Sequence, residues 1–129
     1  MDVSEIMTHA PLSVGSDARV ADAIDLMYEH DIRHVPVIDD GELVGMLSDR
    51  DLRDFLRAED GYRRAQGVGV TEVMSADAIS VEPEAEISEV IDVMLENKIG
   101  AVPVVDGHSD KVVGIVSYVD VLAVAREAL

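Results

Sequence analysis

Two Ser-x-x-Asp motifs hold the residues best suited to chemistry, namely Ser48 with Asp51 and Ser117 with Asp120. A serine at a helix start with an acidic residue three positions later is the pattern of a capping box. The same pair can bind a ribonucleotide, because a hydroxyl and helix-start amides suit a phosphate and a carboxylate accepts hydrogen bonds from the two ribose hydroxyls. The motif by itself leaves both interpretations open.

Patterns for catalysis and for metal binding are missing from the sequence. The histidines lie at unrelated points of the chain, at His9, His30, His34 and His108. No HExxH, Walker or nucleophile-elbow motif occurs. The chain has no cysteine, which excludes disulfide scaffolds, zinc ribbons and thiol catalysis. We therefore expect neither an enzyme nor a metal site.

The two motifs belong to an internal repeat. The segment Val3 to Met7 returns as Val70 to Met74, and Val35 to Val37 returns as Val102 to Val104, both after 67 positions. Further along the chain the offset becomes 69, because the second copy has a longer turn through residues 106–110. Turns tolerate such insertions. Each copy is therefore expected to form the same structure.

Hydrophobic spacing predicts the order β-α-β-β-α in each copy. Apolar residues at i, i+4 and i+7 predict a helix, and two β-branched runs typical of strands follow it. The first helix of each copy is predicted over Ala18 to His30 and Glu86 to Asn97, and the second helix begins at Ser48 and Ser117. The strands are predicted over Ser13-Val14, His34 to Ile38, Leu43 to Leu47, Ser80-Val81, Ala101 to Val105 and Lys111 to Val116. Residues 60–69 hold three glycines without periodicity and are predicted to link repeat 1 (1–59) to repeat 2 (70–129).

Three motifs occur in the same order in both copies: an entry Val-x-x-h-Met (h, apolar), a central Val-Pro-Val-h-Asp, and Val-Gly-h-h-Ser-x-x-Asp-h over Val44 to Leu52 and Val113 to Val121. In this combination the chain resembles a tandem pair of cystathionine-β-synthase (CBS) domains, a stand-alone Bateman module, from Val3 to Ala125. The resemblance implies an α/β (α+β) fold with two β-α-β-β-α repeats packed with pseudo-two-fold symmetry. It also implies two clefts between the repeats that hold adenosine-containing ligands.

By this resemblance, each cleft combines the Ser/Asp motif of one repeat with the entry segment of the other. The first cleft would hold Arg33, His34, Ser48, Arg50, Asp51, Met74, Ile79 and Ile99, and the second Met7, Leu12, Ile32, Ser117 and Asp120. The second is the poorer site for a phosphate, because Gly100, Ala101 and Val119 stand at the positions of Arg33, His34 and Arg50. Two alternatives stay open: Met7, Met74 and Ile99 as core residues, and Arg33 and Arg50 as surface ion-pair partners.

The resemblance implies a regulatory module that senses AMP, ADP, ATP, S-adenosylmethionine or NAD, requires no cofactor, and takes Mg²⁺ as an optional companion of the phosphates. It further implies a flat homodimer that pairs through its helices and signals to a downstream protein. The main alternative is a protein of a different functional class, a structural dimerisation scaffold whose clefts stay empty.

The formal net charge is −17, from 27 Asp and Glu against 10 Lys and Arg. Nucleic-acid binding needs a concentrated basic face, and an anionic membrane attracts basic segments, so both partners are excluded. With no apolar signal core and no membrane-length apolar stretch, a cytoplasmic location is expected. The acidic, lysine-poor composition favours a protein from a salt-accumulating halophile, with an ordinary acidic protein from a GC-rich genome as the alternative.

Overall fold

The computed structural model describes all 129 residues, which form two compact units. One unit is Leu12–Ala78, which we name the first-repeat unit. The other joins Met1–Pro11 to Ile79–Leu129, and we name it the second-repeat unit. Each unit therefore combines most of one sequence repeat with the entry segment of the other.

The fold is mixed α+β, as the sequence predicts, with two three-stranded sheets and five helices. The strands are β1 (Thr8–His9), β2 (Val14–Gly15), β3 (His34–Asp39), β4 (Glu42–Ser48), β5 (Ala101–Val105) and β6 (Val112–Ser117). The helices are α1 (Val20–His30), α2 (Asp49–Arg57), α3 (Gly61–Arg64), α4 (Ile87–Asn97) and α5 (Tyr118–Ala128). None of these helices is long and apolar enough to cross a lipid bilayer.

The sheet of the first-repeat unit has the strand order β2-β3-β4. Strand β2 runs parallel to β3, and β3 pairs antiparallel with β4 in a register that sets His34 opposite Ser48. The side chains of Val35, Val37 and Leu47 are fully buried with residues of α1 and α2. The β-branched runs thus form the core side of the sheet, and their pairing fixes where α2 begins.

The sheet of the second-repeat unit has the order β1-β6-β5. Its entry strand β1 pairs antiparallel with β6, which the sequence does not predict, because two residues carry no periodicity. The strand predicted at Ser80-Val81 is reduced to a single bridge from Val81 to Val104. The other predicted strands and helices are present within one or two residues of their predicted ends.

The segment predicted as a linker is part of the first-repeat unit and contains α3. Its backbone carbonyls cap α1, because Val68 accepts a hydrogen bond from the amide of Val20 at 2.9 Å and Ala65 from that of Ala21 at 2.8 Å. These amides have no partner inside the helix. The sequence does not predict this capping, because the spacing of the glycines in residues 60–69 does not indicate which helix accepts the cap.

Two glycines let methionine side chains lie directly on the sheets. A Cβ on Gly45 would overlap the side chain of Met74 and lie 2.9 Å from the carbonyl oxygen of Ser75. Gly114 has the same relation to Met7. Met46 and Ser75 also exchange two backbone hydrogen bonds, at 2.9 and 3.0 Å. The entry segment of the second repeat therefore covers Gly45.

We expect Gly45→Ala to lower the free energy of unfolding by about 1–3 kcal/mol, because the added methyl group overpacks against Met74 and Ser75. Urea unfolding measures the loss. The matched control is Gly67→Ala, since a Cβ on Gly67 meets nothing closer than 3.9 Å. Equal stability of the two variants would contradict the close packing described for Gly45.

Candidate functional site

The junction between β4 and α2 holds the first Ser-x-x-Asp motif in a complete capping box. Ser48 Oγ accepts a hydrogen bond from the amide of Asp51 at 3.1 Å, and the amide of Ser48 donates to Asp51 Oδ2 at 3.0 Å. Capping is thus confirmed. It occupies only one carboxylate oxygen, and Oδ1 of Asp51 has no hydrogen-bond partner within the protein. Capping and acceptance of a ribose hydroxyl are therefore compatible.

The first turn of α2 is also hydrogen-bonded to the backbone of Arg33, next to the start of β3. The amide of Asp49 donates to the carbonyl of Arg33 at 2.7 Å, and the amide of Asp51 is used by Ser48. Two of the first three amides of α2 are therefore taken by the protein itself. A phosphate at this junction would depend more on charged side chains than on the free helix end.

His34 lies at the start of β3, opposite Ser48 in the strand register, and is partly buried. Burial lowers the pKa of His34 below its ordinary value of 6.5, the carboxylates of Asp49 and Asp51 oppose this shift, and Arg33 adds to it. The imidazole is therefore neutral at pH 7. An anion bound beside it would favour its protonated form.

Arg33 and Arg50, the two arginines predicted for the first cleft, are exposed, and neither makes an ion pair. The exposed ion pairs of α2 join Arg53 to Asp49 at 3.2 Å and Arg57 to Asp54 at 3.8 Å instead. The alternative that Arg33 and Arg50 serve as surface ion-pair partners is thus wrong. Their charges are available to an anionic ligand.

Arg33 is one of the residues that line a groove of about 520 Å³ between α1 and α2. The groove is lined by apolar side chains with charged groups among them: Ile24, Met27, Tyr28, Asp31, Ile32, Arg33, Asp49, Leu52, Arg53 and Leu56. Arg33 thus reaches the helical side of the unit, which the sequence does not predict. Arg50 is not part of this lining.

The junction between β6 and α5 repeats the first with different chemistry. Both the amide and the hydroxyl of Ser117 donate to Asp120 Oδ2, at 2.8 and 3.2 Å. The amide of Tyr118 donates to the carbonyl of Gly100 at 2.9 Å, which matches the bond from Asp49 to Arg33. Where the first junction has His34 and Arg50, the second has buried Ala101 and exposed Val119. The second junction therefore offers a carboxylate oxygen without a nearby cation.

The two units divide the predicted site residues between them. The first-repeat unit brings together Arg33, His34, Ser48, Arg50, Asp51 and Met74, and the second-repeat unit Met7, Ser117 and Asp120. Met7 is a core residue, and Ile99 packs against the same core cluster. Ile79 and Ile99 belong to the second-repeat unit, and Leu12 and Ile32 to the first. The assignment of these four to ligand sites stays a prediction.

Both repeats contain the order helix, strand, strand, helix, and a Ser-x-x-Asp motif marks the start of the second helix in each. The family model described as the CBS domain matches residues 3–58 and 70–127, and the chain belongs to this family as a pair of CBS domains.

Curated relatives differ in how much of their length the chain spans. It is 32% identical over 120 residues to the CBS domain-containing protein YhcV of Bacillus subtilis, covering 92% of this chain and 81% of that protein. It is 33% identical over 114 residues to the inosine-5'-monophosphate dehydrogenase of Aquifex aeolicus, covering 87% of this chain but only 22% of the enzyme. The enzyme's activity therefore resides in a protein of which this chain matches a small part.

Two solved structures are similar over nearly the whole chain. The CBS domain pair of protein MJ0100, in complex with 5'-methylthioadenosine and S-adenosyl-L-methionine, is 27% identical with a TM-score of 0.86, covering 100% of this chain and 98% of that one. The structure of CBSX2 in complex with AMP is 30% identical with a TM-score of 0.82, covering 98% and 97%.

Proposed function

We propose that this CBS pair is a regulatory module that binds an adenosine-containing ligand at its Ser-x-x-Asp junctions. The observation that carries the proposal is the first junction, where the unpartnered Oδ1 of Asp51 lies in the same unit as three cationic or protonatable side chains without ion pairs. Similar CBS pairs have been crystallised with AMP and with S-adenosylmethionine and 5'-methylthioadenosine, which supports the ligand class.

At the first junction, Asp51 Oδ1 accepts hydrogen bonds from the ribose hydroxyls. His34, Arg33 and Arg50 supply the positive charge for a phosphate, with Mg²⁺ as an optional companion of a longer phosphate chain. Met74, which lies in the same unit, is the proposed apolar contact of the adenine. No cofactor is required, because binding and not a reaction is the proposed activity.

At the second junction, Ser117 and Asp120 offer the ribose contact, with Met7 of the same unit as the proposed apolar contact. Without a cation, this site disfavours a phosphorylated ligand, because Asp120 would repel the phosphate. We therefore assign AMP, ADP or ATP to the first junction before the second.

Regulation follows from a shift in populations. A ligand changes the balance between two states of a protein only by its differential affinity for them. We propose that the chain works as a C₂ homodimer in the cytoplasm and passes ligand occupancy to a downstream protein. The acidic surface fits a cell with high internal salt.

A thermal shift assay with AMP, ATP and S-adenosylmethionine in molar KCl tests the proposed function. At a ligand concentration of 100 times Kd, binding should stabilise the protein by about 2.7 kcal/mol, which raises Tm. A scaffold with empty sites would show no shift with any adenosine compound. Guanosine compounds serve as the control for unspecific nucleotide effects.

Acidification should strengthen AMP binding through His34. The folded pKa is lowered below 6.5, so His34 gains a proton only as the pH falls through that lower value, and a bound phosphate stabilises the protonated form. Calorimetry of AMP across this range should show affinity rising in the wild type more than in His34→Gln. The difference between the two proteins isolates His34, because the phosphate titrates in both. Identical pH profiles would contradict this role.

The lowered pKa of His34 also affects the ligand-free protein, whose stability should decrease on acidification. The unfolded chain binds the proton of His34 more readily than the folded chain, so stability is fully present above pH 6.5 and falls as the pH drops through the lower folded pKa. AMP should reduce this loss in the wild type, whereas His34→Gln has no imidazole to protonate and should lack this contribution to the loss.

A further inference from the structure

The methionines of this chain differ in how far a dissolved oxidant can reach them. The chain contains no cysteine, so its thioethers are its only sulfur groups. Three methionines are buried, with at most 9% of their surface exposed: Met7, Met27 and Met94. Met46 and Met74 are partly exposed, and Met1 is 63% exposed. Because oxidation of methionine requires access to the sulfur, these side chains should react at different rates.

Met74 and Met7 occupy equivalent places in the two repeats, 67 positions apart. The sulfur of Met74 is the atom nearest to the position that a Cβ on Gly45 would take, and the sulfur of Met7 has the same relation to Gly114. Both thioethers therefore lie directly on the backbone of a sheet. The two side chains match in chemistry and placement and differ in exposure.

The segment that follows each methionine explains this difference in exposure. After Met7 the chain continues as β1, and both residues of that strand pair with β6. After Met74 the pairing with β4 is limited to one bridge between Ser75 and Met46, and residues 75–77 are exposed. The first-repeat unit therefore covers its methionine less completely than the second-repeat unit does.

We propose that Met74 is a site of oxidation by peroxide, and that its sulfoxide releases residues 73–75 from strand β4. A lone pair of Met74 Sδ forms a bond to one oxygen of hydrogen peroxide, and the O–O bond breaks. The departing hydroxide takes the proton of the transferred oxygen and becomes water. The thioether is thereby oxidised to a sulfoxide and the peroxide is reduced.

A sulfoxide fits poorly where the thioether of Met74 lies. Its sulfur lies against Gly45, which is buried, so an added oxygen has no space on that side. Met74 also packs against the apolar core cluster of the first-repeat unit, where a polar oxygen is costly. Both effects oppose the two backbone hydrogen bonds between Met46 and Ser75, which hold the segment on β4.

Peptide mapping by mass spectrometry during a time course with hydrogen peroxide tests the site without any substitution. We expect Met74 to oxidise at least roughly fivefold faster than its matched counterpart Met7. Met1 gives the rate of an exposed methionine in the same sample. A Met74 rate equal to or below that of Met7 would overturn the proposal.

Urea unfolding before and after peroxide treatment tests the release of the segment. The unfolding midpoint should fall in the wild type and equally in Met46→Leu, which removes the other partly exposed methionine. It should stay unchanged in Met74→Leu, because leucine has no sulfur and a volume close to that of methionine. Met74→Ile replaces this variant if it does not fold. An equal fall in the Met74 variant would overturn the proposal.

Oxidation of Met74 should also weaken AMP binding, by at least roughly fivefold in Kd, because the adenine loses an apolar contact. This consequence rests on the proposed function, whereas the site of oxidation does not. Calorimetry of the treated wild type measures the loss. Unchanged affinity after complete oxidation of Met74 would overturn the effect on the ligand site. Absence of binding in the untreated protein would instead overturn the proposed function, and the mapping and unfolding results would still decide the role of Met74.

Discussion

Replacing Asp51 by alanine should weaken the binding of AMP and ATP by about 1–3 kcal/mol, roughly 5- to 150-fold in Kd. The change removes the carboxylate that accepts from the ribose hydroxyls. The equivalent change Asp120→Ala should have a smaller effect on these phosphorylated ligands, because the second junction has no nearby cation. Calorimetry with each protein measures both losses.

Asp51 also caps α2, so the alanine variant loses a helix contact worth about 1 kcal/mol. Asp51→Asn is the control, since its amide oxygen can still accept from the amide of Ser48 while the charge is lost. The 2'-deoxy form of AMP lacks one of the ribose hydroxyls that would donate to Asp51, and it tests the contact without any change to the protein. Equal affinity for AMP and its deoxy form, or a larger loss from Asp120→Ala than from Asp51→Ala, would overturn the site assignment.

Raising KCl from low to molar concentration should raise Tm by at least about 4 °C, roughly 1 kcal/mol for a domain of this size. The cause is self-repulsion among the 27 Asp and Glu side chains, three of which form the exposed ion pairs to Arg53, Arg57 and the N-terminus. At about 1 M salt the Debye length falls to about 3 Å, so the repulsion is screened. A scan of Tm against KCl measures the effect.

Glu29→Gln is the matched variant for the salt experiment. Asp25 and Glu29 are exposed on α1 four residues apart, a spacing at which like charges destabilise a helix. The variant should be more stable than the wild type at low salt and show a shallower rise with KCl. A wild-type Tm that stays level or falls toward molar KCl would remove the argument for a halophile.

The sequence predicts most of the fold, because its periodicities are strong and occur twice. The helices over Val20–His30 and Ile87–Asn97 and the strands that carry the Val-Pro-Val segments lie close to their predicted positions. What it does not predict is non-local backbone pairing, such as the pairing of β1 with β6 and the capping of α1 by residues 60–69. Those contacts use main-chain groups that every residue has, so no residue type signals them.

In the candidate site, too, the sequence predicts the residue types but not the contacts between distant segments. Ser48 and Asp51 follow from the motif, and so does the difference between the cation-bearing and the cation-free junction. The sequence does not show that Met74 covers Gly45, or that the carbonyl of Arg33 takes the amide of Asp49 at the start of α2. Both depend on how segments distant in sequence fold together, which residue spacing does not encode.

A crystal structure of the protein grown with AMP in molar KCl tests the central claim most directly. The account predicts a ribose hydroxyl within hydrogen-bond distance of Asp51 Oδ1 and a phosphate beside His34 and at least one of Arg33 and Arg50. AMP bound away from Asp51, or a vacant first junction at a concentration that saturates the protein in calorimetry, would contradict it.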